Sequence, residues 1–377
     1  MIRLTKPSLD NEDFTAVREV LSSGFLVQGE KVKEFEQKIA EYVGCKYAIA
    51  VSNGTSALHL SLLSLKIRQS DLVLVTDYSW VATANVIELC GAHPIFIDVK
   101  PDTFNMDPEE LSKKLKQLMS NPILKTRVRA IIPVHTFGQI ADMPAIMEIA
   151  DQYGIPVIED AACALGSTLQ GKNAGTWGSV NCFSFHPRKA ITTGEGGIIV
   201  TNDSDLARHI RTLRNHGLDP DSPEADFIIP GYNYRLTEFQ AALGISQLKK
   251  IDRINTKRRA LASYYTKLLD GTNVQAPQEI SGSSSIFQSY VTLLPAEIAH
   301  NRKKIIAKMK DFGIETTIGT IHIPLTTYYK QKYGYKMGDF PVTDDIAQRS
   351  LTLPLYEEMS IDEQDTVVEK LLSKLNN

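Results

Sequence analysis

Two hydrophobic rhythms alternate along the first two hundred residues. Short apolar runs of strand length recur in "YAIAVS", "LVLV", "PIFIDV", "RAIIPVH", "IPVIED", "SVNCFSF" and "IIVT". Between them lie stretches with apolar residues at helical spacing, as in "GEKVKEFEQKIAEYVG", where Val32, Phe35, Ile39 and Val43 fall on one face and Gly44 supplies a stop. "GTSALHLSLLSLK", "SWVATANVIELCG", "DPEELSKKLKQL" and "DMPAIMEIADQYG" read the same way. Continuous apolar strands alternating with helices predict an α/β fold with a mainly parallel central sheet, buried on both faces.

The rhythm changes near residue 237. "TEFQAALGISQLKKIDRINTKRRALASYYTKLL" predicts one long helix that bridges to a second unit. Beyond it come a polar stretch, "QEISGSSS", a strand in "FQSYVTLLP" and a helix in "NRKKIIAKMKDFG". We therefore expect a large domain over residues 1–245 and a smaller C-terminal α/β domain over 246–377, with the N-terminal segment packing on the latter. The 377-residue length fits two hydrophobic cores rather than one.

Composition narrows the function classes. A net charge of -3 carries no bias toward nucleic acid or an anionic membrane. No run approaches the roughly 20 apolar residues of a membrane span, and "MIRLTKPSLDNEDF" lacks the apolar core of a signal peptide. Cys45, Cys90, Cys163 and Cys182 form no Cys-x-x-Cys pair, so no metal site is expected. Scattered cysteines suggest reduced thiols and a cytoplasmic protein.

Ligands of open α/β sheets gather at the carboxyl ends of the strands, and four such ends carry chemistry. In "VSNGTSALHL" a glycine turn leads from a strand into a helix N-terminus, where Thr55 and Ser56 either serve the helix alone or help bind a phosphate. In "TDYSWVATAN" Trp80 is either a core or interface aromatic or a surface on which a cofactor ring stacks. In "IPVIEDAACALG" Asp160 is either an exposed acid or cap, or the anion for a cationic ring nitrogen. In "SFHPRKAITTGEGG" Lys189 is either a turn lysine or an amine held to react with an aldehyde. Ser184 shares that turn and offers a hydroxyl to a phosphate. His186 is read as a structural histidine first and a local acid or base second. Phosphate cup, stacking aromatic, aspartate and lysine together are what pyridoxal 5'-phosphate (PLP) requires.

The chain resembles the PLP-dependent sugar aminotransferases of fold type I, the aspartate-aminotransferase-like fold. The resemblance rests on "SNGTSALHL", "YSWVATANVI", "PVHTFGQIADM", "IEDAACALG", "FSFHPRKAITTGEGG" and "PGYNYRLTEFQAALGISQL". It implies that Lys189 carries the cofactor's aldehyde and later shuttles the proton, and that Asp160 partners the pyridine nitrogen. Trp80 would stack on the ring, with Thr55, Ser56 and Ser184 on the phosphate. Asn233 in "GYNYR" would reach the phosphate of a neighbouring subunit, making the protein a homodimer with its site at the interface. The implied substrates are glutamate as amino donor and a nucleotide-linked keto-deoxysugar. The product would be an amino sugar for surface polysaccharide, such as lipopolysaccharide, or for a natural product.

Two positions depart from the family's pattern. Cys163 stands where Gln or His commonly contacts the cofactor's ring oxygen, and a thiol is a poor donor. Thr326, in "HIPLTTYYK", stands where many relatives carry His near the sugar, leaving His322 as a substrate-side candidate. Arg235 and the basic pair in "RTLRNHG", Arg211 and Arg214, are candidates for diphosphate or carboxylate contacts, with solvated helix charges the alternative for the pair. A sugar dehydratase of the same fold is disfavoured because such relatives replace the lysine by histidine. A nicotinamide enzyme is disfavoured because no Gly-x-Gly-x-x-Gly follows the first strand. A non-catalytic regulator that kept the fold, and an aminotransferase for a cyclitol or other non-nucleotide ketone, stay as rivals.

Overall fold

The computed structural model describes residues 1–375. Seven strands build the central sheet: β1 (Tyr47–Val51), β2 (Leu72–Thr76), β3 (His93–Ile97), β4 (Val128–Ile132), β5 (Ile158–Asp160), β6 (Val180–Ser184) and β7 (Gly197–Thr201). Ladders pair β3 with β2 and β2 with β4 in parallel. Single parallel bridges, Ile131 to Val157 and Val134 to Asp160, carry the sheet across to β5. β5 pairs with β6 in parallel, and β7 lies antiparallel between β6 and β1. The order is β3-β2-β4-β5-β6-β7-β1, and β7 alone of the seven runs against the rest.

Alternate residues of each strand feed two separate cores. Ala48, Ala50, Leu72 and Leu74 join Phe35, Ile39, Leu111 and Ile146 on one face. Ile49, Val51, Val73 and Val75 join Leu58, Leu62, Ile87 and Ile210 on the other. Burial on both faces is why these strands read as unbroken apolar runs. The helix Glu30–Val43 ends as its glycine foretold, with Gly44 in the left-handed region at φ 85° and its N–H on the Ala40 carbonyl.

A third core lies toward the C-terminus, where Tyr265, Leu269, Ile305, Met309, Val367 and Leu371 pack together. Its antiparallel sheet joins Tyr290–Leu293 and Thr317–Ile318 to Ser350–Leu353. The first residues of the chain lie against it, with Ile2 bridged to Ile314 and the Leu355 N–H on the Leu4 carbonyl. Ile323, Tyr329 and Phe340 instead pack on the second face of the central sheet.

One expectation is corrected. The long helix from residue 237 is two helices, Glu238–Leu248 and Ile251–Leu269, with a turn at Lys249 and Lys250. The turn aims the Lys250 ammonium at the amino-terminal helix Asn11–Ser23, where it meets Asp10 at 2.8 Å and Asp13 at 2.6 Å. An unbroken helix would give up this anchor. Among the described residues no helix is long and apolar enough to cross a membrane, and no group of three or more His, Cys, Asp or Glu side chains is arranged to hold a metal.

Candidate active site

The carboxyl ends of β1, β2, β5 and β6 open on one edge of the sheet, and the sequence candidates from those strands sit there. Past β1, Asn53 caps the helix Gly54–Ser64: its side chain accepts from the Ser56 N–H at 2.8 Å and its carbonyl from the Ala57 N–H. Helix geometry leaves the Gly54 and Thr55 N–H groups without intrahelical partners, and the dipole adds positive potential there. Thr55 is exposed, whereas Ser56 is buried with its hydroxyl 3.0 Å from that of Ser52.

Ser184 at the end of β6 closes against this helix start. A Cβ on Gly54 would lie 2.9 Å from the Ser184 Cβ and 3.2 Å from its Oγ. A Cβ on Gly197, the first residue of β7, would lie 2.4 Å from the Asn53 carbonyl oxygen. Both glycines are therefore dictated by close approach, and they bring two backbone donors and the Ser184 hydroxyl into one cup. That donor set suits a phosphate.

β5 ends in two carboxylates pointing to opposite faces. Asp160 is buried; its Oδ2 accepts from the Thr83 hydroxyl at 2.6 Å and its Oδ1 from the Ala162 N–H at 3.2 Å. Glu159 is fully buried and accepts four hydrogen bonds, from the N–H groups of Gly175, Trp177 and Gly178 and from His135 Nε2 at 2.8 Å. The Ala141 N–H donates to His135 Nδ1, which fixes the neutral tautomer with its proton on Nε2. Glu159 is thus a structural brace, and its neighbour Asp160, on the opposite face of the strand, is held by Thr83 and Ala162.

Lys189 lies on the turn between β6 and β7, half-buried, its N–H on the His186 carbonyl. Its Nζ donates to the Cys163 sulfur at 3.1 Å. Cys163 is three residues beyond Asp160, so the amine and the carboxylate address the same turn. Amine, carboxylate and phosphate cup fit the three polar ends of PLP.

The remaining candidates are placed as follows. Trp80 is 65% exposed and begins the turn into the helix Ala82–Leu89 that carries Thr83. His186 Nδ1 accepts from the Arg188 N–H, a turn-forming bond, and burial lowers the imidazole's pKa. Asn233 is exposed and bridged to Asn215. Arg235 donates to Asn215 Oδ1 at 2.6 Å. His322 is half-buried, with Asp77 3.7 Å from its Nε2 and Asp344 3.5 Å from its Nδ1. Thr326 starts the helix Thr327–Tyr333 and bonds the Ile323 carbonyl. Arg214 is a correction: it is buried, bonding Glu36 at 2.5 Å and the Ala50 carbonyl, so it braces β1 and offers nothing to a substrate. Arg211 lies over the Tyr47 ring at 5.8 Å.

Sequence reasoning missed Thr83. Its only signal was a hydroxyl one helical turn past Trp80 in "WVAT", on the helix face turned toward the strand ends. The Asn53 cap was also missed, although Asn followed by Gly at a strand end is a recognisable helix start.

Comparison with known proteins identifies the family and the fold. The model of the DegT/DnrJ/EryC1/StrS aminotransferase family matches residues 7–372. The uncharacterized protein MJ1066 of Methanocaldococcus jannaschii is 35% identical over 374 residues, covering 96% of this chain and 95% of its own. Among solved structures, Helicobacter pylori PseC, an aminotransferase of pseudoaminic acid biosynthesis, superposes with a TM-score of 0.91 at 29% identity, covering 99% of this chain and 98% of PseC. The PLP form of Spr1654 from Streptococcus pneumoniae gives 0.92 at 26% identity, covering 99% and 98%.

Proposed function

The chain belongs to the DegT/DnrJ/EryC1/StrS aminotransferase family and is a PLP-dependent aminotransferase, and from that premise we propose that it moves an amino group from glutamate to a nucleotide-linked keto-deoxysugar. The product is an amino sugar for surface polysaccharide or natural-product synthesis, made in the cytoplasm. The observation that carries this reading is the convergence of the Lys189 amine, the Asp160 carboxylate and the Gly54 helix start at one sheet edge.

The roles follow from the contacts. When bound, PLP supplies an electron sink for the pair left when the donor's α-carbon loses its proton. Lys189 Nζ holds the cofactor's aldehyde end between turnovers and, once free, takes and returns that proton. Asp160, oriented by the Thr83 hydroxyl and the Ala162 N–H, keeps a proton on the ring nitrogen. Gly54, Thr55, Ser56 and Ser184 would hold the phosphate and Trp80 would cover the ring. Cys163 would stand on the side of the ring's oxygen substituent. His186, with Nδ1 committed to the Arg188 N–H, presents Nε2–H to substrate, and Arg235 meets a substrate anion. His322, near Asp77 and Asp344, is the substrate-side candidate from the C-terminal part of the chain.

The active unit in this reading is a homodimer. Phe25, Val27, Trp80 and Phe227 are 78%, 55%, 65% and 62% exposed, apolar side chains that a partner subunit would cover. The Leu26 carbonyl bonds the Glu238 N–H, which ties the 25–27 segment to the stretch that carries Asn233. Asn233, exposed on its own chain, then reaches the partner's phosphate. The large domain over residues 1–245 holds the cofactor, and residues 246–377 shape the sugar pocket.

The test is a two-stage assay. Enzyme converted by glutamate should return to its starting spectrum on addition of nucleotide-linked 3- or 4-keto sugars, with ping-pong kinetics. Return with cyclitol ketones but with no keto sugar would overturn the substrate class. Asn233→Ala should weaken PLP binding, and sedimentation should show a dimer.

A further inference from the structure

Lys189 has a neighbour that transamination does not require. The Cys163 sulfur lies 3.1 Å from its Nζ, and both side chains are half-buried, within reach of small solutes. The other three thiols have different surroundings. Burial pushes the Cys45 thiol up to about 11 and the Cys90 thiol up to about 12, and it raises the fully buried Cys182 as well. Cys45 faces the carbonyls of Ala40 and Tyr47, and Cys182 faces the Ser61 hydroxyl; neither meets a cation. Susceptibility to oxidation follows thiolate character and access; burial disfavours the thiolate at those three, whereas Cys163 is accessible and has an amine at bonding distance. An oxidant should therefore select Cys163.

We propose that Cys163 is a redox-modification site that reversibly disables Lys189 by a covalent sulfur–nitrogen cross-link. Hydrogen peroxide is the oxidant. The Cys163 sulfur gives two electrons to peroxide; its S–O bond forms as the O–O bond breaks, and one water leaves. The Lys189 amine then attacks the sulfenic sulfur. The S–N bond forms, the S–O bond breaks, nitrogen loses a proton and a second water leaves. One peroxide becomes two waters, and thiol and amine each lose one hydrogen. An external dithiol restores both groups. This inference rests on the aminotransferase reading in one respect: while Lys189 holds PLP its amine is occupied, so the resting enzyme is protected. Removing PLP, or freeing Lys189 with the amino donor, exposes the pair.

The test uses intact-mass measurement and peptide mapping of the full chain after a few equivalents of peroxide. The PLP-free chain should become about 2 Da lighter, the cross-link's two-hydrogen loss. Peptides containing Cys163 and Lys189 should appear joined, and dithiothreitol should separate them. Preloading with PLP should suppress the joined peptide at least tenfold, and glutamate should restore it. Cys163→Ser should give no cross-link, while Lys189→Gln should carry added oxygen on Cys163. Oxygen on Cys163 of the unsubstituted chain without joining, or earlier oxidation at Cys45 or Cys90, would overturn the proposal. The two readings fail separately: a cross-link indifferent to PLP counts against the cofactor assignment, and PLP binding without a cross-link counts against the redox site alone.

Discussion

Replacing Thr83 by Val probes how firmly the site holds its anion. The hydroxyl and its partner are both buried, Thr83 at 1% and Asp160 at 4% exposure, and their oxygens are 2.6 Å apart. Valine fills nearly the same volume, so packing survives and the hydrogen bond is lost. The Asp160 carboxylate keeps only the 3.2 Å bond from the Ala162 N–H among the described residues. A buried hydrogen bond to a charged acceptor contributes about 1.5–3 kcal/mol, so the PLP-free protein should lose that much stability. Urea unfolding followed by fluorescence reads this directly. The same bond orients the carboxylate toward the ring nitrogen. If half of its energy, about 0.75–1.5 kcal/mol, is needed for that orientation, the glutamate half-reaction should slow about 4- to 13-fold. Stopped-flow absorbance measures that rate, and Thr83→Ser, which keeps the hydroxyl, should recover most of both losses. A valine variant that unfolds at the wild-type urea concentration and reacts within twofold of its rate would refute the assignment of Thr83 as the positioning residue for Asp160.

Other substitutions test neighbouring parts. Gly54→Ala sets a methyl 2.9 Å from the Ser184 Cβ and must push the phosphate cup open; PLP affinity should fall about tenfold, roughly 1.4 kcal/mol, by titration, and unchanged affinity would place the phosphate elsewhere. Glu159→Gln turns an amide NH2 toward N–H donors that now meet a carboxylate; losing two such bonds should cost about 3–5 kcal/mol in denaturant melts, and a cost below about 1 kcal/mol would deny its bracing role. Burial, with repulsion from Asp98, raises the Asp77 carboxyl well above its ordinary pKa, while the Thr343 hydroxyl donates to it and Asp344 and His322 lie nearby. The folded state thus holds this proton more tightly than the unfolded one, so the associated stability is present at low pH and fades as pH rises above the usual carboxylate range. Asp77→Asn should therefore raise the melting temperature more at pH 8 than at pH 5, and an equal shift at both would contradict the assignment.

The fold was legible wherever burial is a local property. The seven strands of the sheet announced themselves as apolar runs because both of their faces are covered. The strand-end positions of Thr55, Asp160, Ser184 and Lys189 followed from that. Contacts between distant residues left no such trace. Thr83 and Asp160 are 77 residues apart, and Glu36 and Arg214 are 178 apart. Nothing in "RTLRNHG" distinguishes the buried Arg214 from the partly exposed Arg211. The turn at Lys249 and Lys250 was hidden for the same reason, since helical periodicity continues through it while Asp10 and Asp13, which draw Lys250 away, come from the far end of the chain. Lys189 beside Cys163 was equally invisible, although the Cys163 position already stood out as a departure from the family's pattern.

The central claim is that Lys189 is the amine on which the cofactor acts. The most direct measurement is the absorbance spectrum of the purified protein supplied with PLP, before and after glutamate, for wild type and Lys189→Ala. The account predicts a violet-absorbing band in wild type that bleaches with glutamate, and no such lysine-linked band in the variant. A wild type that gains no band when PLP is supplied, or a variant whose band and bleaching match wild type, would contradict it.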